Sequence, residues 1–329
     1  MIFGQGSMRC HPYLFEELQL LQMDDKKTAH KEMNTILYQH LGYTFNRTAR
    51  ALAYGFTGGS NHAPNSVDDF TAPYYKIINR FSTNFALTAD MCLGLLAGEI
   101  KRKEMLSGRL ADIHSYMFIA TSILKFYEHG EHTQAEQIHA QLALEKALFN
   151  AQEAFFGLFD NFPIKLASGL IKLICFPLGR PLKKPSDKLK LQAGEMIMQE
   201  NAFRDQLKKH VYYSTDANDV TGRMESTFLM LIEVEELWNK FKKAESKGQF
   251  EGLTFEAHIE SALKSGFISQ AEAEQLTTYN AKRFDSMLTD IFDHELNQHL
   301  DVENPHLAAI ENQKFADEFP TSIKTDPTI

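Results

Sequence analysis

The sequence predicts an all-α protein: a bundle of long helices followed by a smaller helical extension. Leu106, Leu110, Ile113, Met117, Ala120, Leu124 and Tyr127 recur in alternating steps of four and three, as one face of a helix requires. Ala140, Leu144, Ala147, Ala151, Ala154 and Leu158 repeat the pattern. No comparable run of period-two alternation with β-branched residues occurs, so long helices packed side by side are the expected architecture.

Glu16 and Glu17 sit on a first helix near the start of the chain. Gly58-Gly59-Ser60-Asn61 through Pro64-Asn65-Ser66 is a loop of turn formers. Asp68 or Thr71 can cap the next helix, and Pro73 suits its first turn. That helix carries the stripe Phe81, Phe85, Thr88, Cys92 and Leu95, and Gly98 interrupts it. Gly130 closes the Leu106 helix. Thr133 caps the following one, with Glu136 at capping-box spacing.

Gly179, Pro181 and Pro185 make the sharpest break, and Ser186 caps the helix after it. Shorter helices are expected at about 186–199, 201–210 and 219–243, the third with Leu231, Val234, Trp238 and Phe241 on one face. A Lys/Gly-rich hinge, Lys242 to Gly252, leads to a pair at about 254–265 and 269–293. Ser265-Gly266 ends the first of these and Ser269 caps the second. From Asn304 the tail is polar. The expected domains are therefore 1–160, a helix bundle, 161–303, a helical extension, and 304–329, a flexible tail.

Composition excludes several functions. A net charge of −9 lacks the basic footprint of general nucleic-acid binding. The cysteines, Cys10, Cys92 and Cys175, are far apart and odd in number, which fits buried thiols in a reducing, cytoplasmic setting. Met1 to Tyr13 has no secretory pattern, and no run of about 20 apolar residues spans a membrane.

Candidate chemistry is sparse. Glu16 and Glu17 read as a solvated acidic face rather than a base, because a base needs an apolar pocket to raise its pKa. Glu136 and His139 form one E-x-x-H, but a di-iron bundle needs two such pairs; a cap and a surface histidine are preferred. His294, Glu295 and His299 miss the zinc-protease spacing by one residue.

Two basic groups stand out. Lys101, Arg102, Lys103 and Arg109 cluster near a helix start, where they are suited to phosphates or simply to water. Asn161 to Lys184 mixes Phe162, Ile164, Leu166, Leu170, Ile171, Leu173 and Ile174 with Lys165, Lys172, Arg180, Lys183 and Lys184. Such a stretch fits an anionic membrane face. It fits core packing with snorkelling lysines equally well. Asn46–Phe56 is a weaker amphipathic segment.

Several long strings resemble one family. Met1–Tyr13 reads MIFGQGSMRCHPY. Residues 72–109 read APYYKIINRFSTNFALTADMCLGLLAGEIKRKEMLSGR, continued by LADIHSYMFIATSILKFYEHG. FPLGRPLKKPSDKL and ALKSGFISQAEAEQL come later in the same order. Together they resemble the C-terminal portion of the long bacterial acyl-CoA dehydrogenases of fatty-acid β-oxidation.

The resemblance implies the last helical domain of such an enzyme, a helical extension beyond it, and a homodimer. It implies FAD as cofactor, a medium- or long-chain acyl-CoA as substrate and an electron-transfer acceptor. The family base is a glutamate shortly before the MIFGQG-like string, so it is expected upstream of Met1, and no residue of this chain is assigned a catalytic role. The chain alone is expected to be inactive, located in the cytoplasm or peripherally at the inner membrane, with Lys101, Arg102, Lys103, Lys165 and Lys172 as contacts for membrane or CoA phosphates. A stand-alone helical dimerisation or docking module is the alternative.

Overall fold

The computed structural model describes residues 11–59, 67–216 and 219–288. Cys10, the MIFGQG string, the 60–66 loop, His294, Glu295, His299 and the tail lie outside them. Every regular element among the described residues is helical. They form two compact units, Met1–Phe203 and Arg204–Ile329. This division falls later than the expected boundary after residue 160, because the segment beyond that residue packs into the first core.

The first unit begins with α1 (Leu14–Gln22) and α2 (Lys26–Thr57). Asp25 starts α2 by accepting the N–H groups of Lys27 and Thr28, and Gly58 ends it at φ 81°. The helix α3 (Ala72–Leu96) follows, with a proline in its first turn. Its N-cap Thr71 makes no side-chain cap; Asp68 Oδ1 instead accepts the Thr71 N–H at 2.8 Å. A 3₁₀ turn, Ala97–Lys101, leads into α4 (Glu104–Glu128).

The centre of this unit is the pairing of α4 with α5 (Gln134–Asn161), which starts from the expected capping box of Thr133 and Glu136. All seven residues of the Leu106–Tyr127 stripe are buried. Ala140, Leu144, Ala147, Ala151 and Leu158 are buried as well, and Ala154 is partly so. These apolar faces are consumed inside one chain, so neither is available to pair with a second copy. In α3, Phe81, Thr88 and Cys92 are buried and Phe85 partly so, but Leu95 is exposed and Leu96 turns inward. Leu96 stands four residues beyond Cys92 and so continues the buried face to the end of the helix; Ala97 then takes φ 43° and starts the 3₁₀ turn.

The amphipathic segment forms α6 (Lys165–Cys175), which packs on α2, α3 and α5. Phe176, just beyond it, completes a cluster with Phe81, Phe155, Phe156 and Phe159. Gly55 of α2 lets this chain approach: a Cβ there would lie 2.5 Å from Pro177 Cδ. After the expected break, Ser186 caps α7 (Asp187–Ile197).

The helix α8 (Ala202–Lys208) carries the division between the units. The second unit continues with α9 (Val220–Ser246), α10 (Phe255–Lys264) and α11 (Gln270–Met287). Phe241, Ala262, Ile268 and Leu276 form its core. Thr254 caps α10, and Ser269 with Glu272 caps α11. Gly266 ends α10 in the left-handed region at φ 69°.

Candidate functional site

Polar side chains from three helices meet around His11, which precedes α1. His11 Nδ1 accepts the backbone N–H groups of Tyr13 at 3.2 Å and Leu14 at 3.0 Å, starting α1. Its proton therefore sits on Nε2, which donates to Asp90 Oδ1 of α3 at 2.9 Å. His40 of α2 lies beside it, with ring centroids 4.8 Å apart. His40 Nδ1 is 2.7 Å from Glu17 Oε1 of α1, so it carries the proton and donates it to that carboxylate. Tyr13 stacks on His40, Tyr43 meets the His11 and Tyr13 rings edge-on, and Arg47 lies over Tyr43. Glu17 is thus no solvated acid but a partner of His40, whereas Glu16 is exposed.

A second polar group is buried where α3 meets the end of α6. Arg80 Nη2 and Asn84 Nδ2 both donate to Cys175 O, at 3.1 and 3.3 Å. A helix C-terminal carbonyl is a suitable acceptor for a cation. Arg80 also faces the Phe176 ring. Burial holds the Arg80 guanidinium below its usual range and pushes the Cys92 and Cys175 thiols up to about 12. Both thiols are free and buried, as expected, and are not poised as nucleophiles.

The remaining candidates fall apart. Glu136 is spent in the capping box, and His139 Nδ1–H donates to Ala135 O at 2.8 Å, so the E-x-x-H is structural. Lys103 pairs with Glu99 at 3.7 Å, while Lys101 and Arg102 face water. Lys165 Nζ donates to Asp160 O at 2.6 Å, and Lys172 Nζ reaches Asp160 Oδ1 at 2.7 Å. These two lysines gather on the end of α5, and no contact joins them to the Lys101 group among the described residues.

Sequence reasoning missed Asp90, His40 and Arg80. Each stands on a helix where periodicity marks only apolar faces. The one usable signal was a charged residue beside a buried stripe: Arg80 precedes Phe81 and stands one turn before Asn84.

Helices in two compact units, with no other regular element among the described residues, place the chain in the all-α class. The chain belongs to the family described as "Acyl-CoA dehydrogenase, C-terminal, bacterial type", whose model matches residues 8–292. No solved structure matches the chain.

Proposed function

We propose that this chain forms the C-terminal helical part of an FAD-dependent acyl-CoA dehydrogenase that oxidises medium- or long-chain acyl-CoA to the trans-2-enoyl-CoA in fatty-acid β-oxidation. The observation that carries this is the family match across both structural units. A homodimer and an electron-transfer acceptor belong to the same reading.

The residues themselves are a scaffold rather than a reaction centre. A base for α-proton removal needs a shielded carboxylate free to reach the substrate. The most shielded carboxylates among the described residues are committed. Asp90 holds His11 and Glu17 holds His40. Glu128 accepts from Tyr75, and Glu136 closes a cap. Glu225 holds Arg204 and Lys208, and Glu245 pairs with Lys242 and His258. Arg80 Nε and Asn84 Oδ1 are buried without a hydrogen-bond partner among the described residues, and Arg80 lies against the Phe176 ring of the core. FAD, when bound, accepts the β-hydride in this family.

The expected result is that the purified chain keeps no flavin absorbance and does not turn over a long-chain acyl-CoA with an artificial electron acceptor. Co-expression with a flavin-covering portion of the same enzyme family should restore turnover. Retained flavin or turnover by the chain alone would refute the scaffold reading. No rescue would count against the dehydrogenase assignment.

A peripheral membrane contact is a second reading, favoured by α6. Leu166, Leu170 and Leu173 form one row at 87, 58 and 60 % exposure. Lys165, Lys172 and Arg180 lie along the same segment. No helix among the described residues is long and apolar enough to cross a membrane. Flotation with anionic vesicles should carry the chain upward, and Leu166→Ser with Leu170→Ser should leave it in the dense fraction. Equal flotation of both proteins would remove α6 as the contact.

A further inference from the structure

We propose that His11, His40 and Asp90 bind one borderline divalent cation of the zinc class. This site is independent of the dehydrogenase reading, because it rests on these side chains alone. Their ligand atoms all lie within 4.8 Å of one another. A tetrahedral cation with ligands at about 2.0–2.2 Å needs neighbours about 3.3–3.5 Å apart, so small side-chain rotations close the site. Two imidazoles and one carboxylate suit zinc-like ions better than magnesium or calcium, which take oxygen ligands.

Each side chain offers a specific atom. His40 gives its Nδ1 proton to Glu17, which leaves the Nε2 lone pair for a cation. A carboxylate on the far nitrogen is the arrangement that orients metal-bound histidines and raises their basicity. Asp90 uses Oδ1 for His11, while its Oδ2 is buried with no partner among the described residues. The Asp90 side chain is only 8 % exposed, so this acceptor is withdrawn from water and unsatisfied. A cation satisfies it.

His11 is the coupled member. Its Nε2 carries the proton in the metal-free chain, because Nδ1 accepts the Tyr13 and Leu14 N–H groups. Coordination through Nε2 displaces that proton. The proton either leaves to solvent or moves to Nδ1, where it would return both backbone N–H groups to water. Metal binding is therefore linked to proton release or to loosening of the first turn of α1.

The test is titration of the chelator-stripped full chain with Zn²⁺ by calorimetry, and with Co²⁺ by visible absorption. One saturable equivalent and the intense d–d bands of a tetrahedral Co²⁺ site are expected. Asp90→Asn and His40→Gln should each weaken binding by at least about 100-fold, and Glu17→Gln by about 10–100-fold. His11→Asn keeps an acceptor for the α1 N–H groups and removes the ligand nitrogen. It should weaken binding with unchanged helical circular dichroism, which separates loss of a ligand from loss of the fold. No saturable equivalent in the parent chain overturns the proposal. So does an affinity equal to the parent's in both His11→Asn and Asp90→Asn.

Discussion

Replacing Phe155 with alanine is expected to destabilise the first unit by about 3–5 kcal/mol. Phe155 is fully buried on α5. Its ring meets Phe81 of α3 at 5.6 Å and Phe176, after α6, at 5.5 Å, both edge-on, and stacks on Phe159 at 6.1 Å. Truncation loses the buried area of the ring and leaves a cavity that three neighbouring aromatics are too rigid to fill. Phe155→Leu keeps much of the volume and should recover more than half of the loss. Urea unfolding followed by far-ultraviolet circular dichroism measures both. A loss below about 1 kcal/mol for the alanine variant would mean that α3, α5 and the segment after α6 do not meet at this ring.

The second large effect is acid sensitivity in the second unit. Arg204 donates through Nη1 and Nη2 to the two Glu225 oxygens at 2.8 and 2.6 Å, and Lys208 Nζ lies 2.8 Å from Oε1. The Arg204 hydrogen bonds, helped by Lys208, hold the Glu225 carboxyl down to about 2 from its ordinary 4.5, against the opposing effect of burial. A group depressed in the folded state adds stability that is complete above its unfolded pKa. That stability is lost as pH falls from about 4.5 towards about 2. It amounts to at most about 3 kcal/mol, discounted for the solvent that still reaches the pair.

Glu225→Gln should therefore lower stability at neutral pH by about 2 kcal/mol and flatten the acid limb between about pH 5 and 2. Trp238 is the only tryptophan of the chain and packs on Tyr279 within this unit, so its fluorescence follows that unit. An acid limb of unchanged slope in the variant would show that Glu225 does not carry the effect.

The helical framework was legible because helix formation and facing are local. Steps of three and four put Leu106 through Tyr127 on one side whatever lies opposite, and Thr133, Ser186 and Ser269 cap through atoms three residues away. The pattern misled where a stripe had two continuations: Leu96, four residues beyond Cys92, is buried, whereas Leu95, three beyond, is exposed. It also misled where charge was judged without a partner. Glu17 resembles a solvated acid in sequence, yet His40, 23 residues away, pairs with it from the next helix. Lys165 and Lys172 likewise share one partner, Asp160, which spacing along the chain does not single out.

The all-α class, most caps and the residues of the central α4–α5 seam are written in the local order of residues, because hydrophobic period and capping act over one or two turns. Which polar groups have partners depends on how the helices pack. His11 and Asp90 are 79 residues apart, and Arg80 and Cys175 are 95 apart. A hydrogen bond depends on an approach of about 3 Å and on direction. Spacing along the chain sets neither once the two groups stand on different helices.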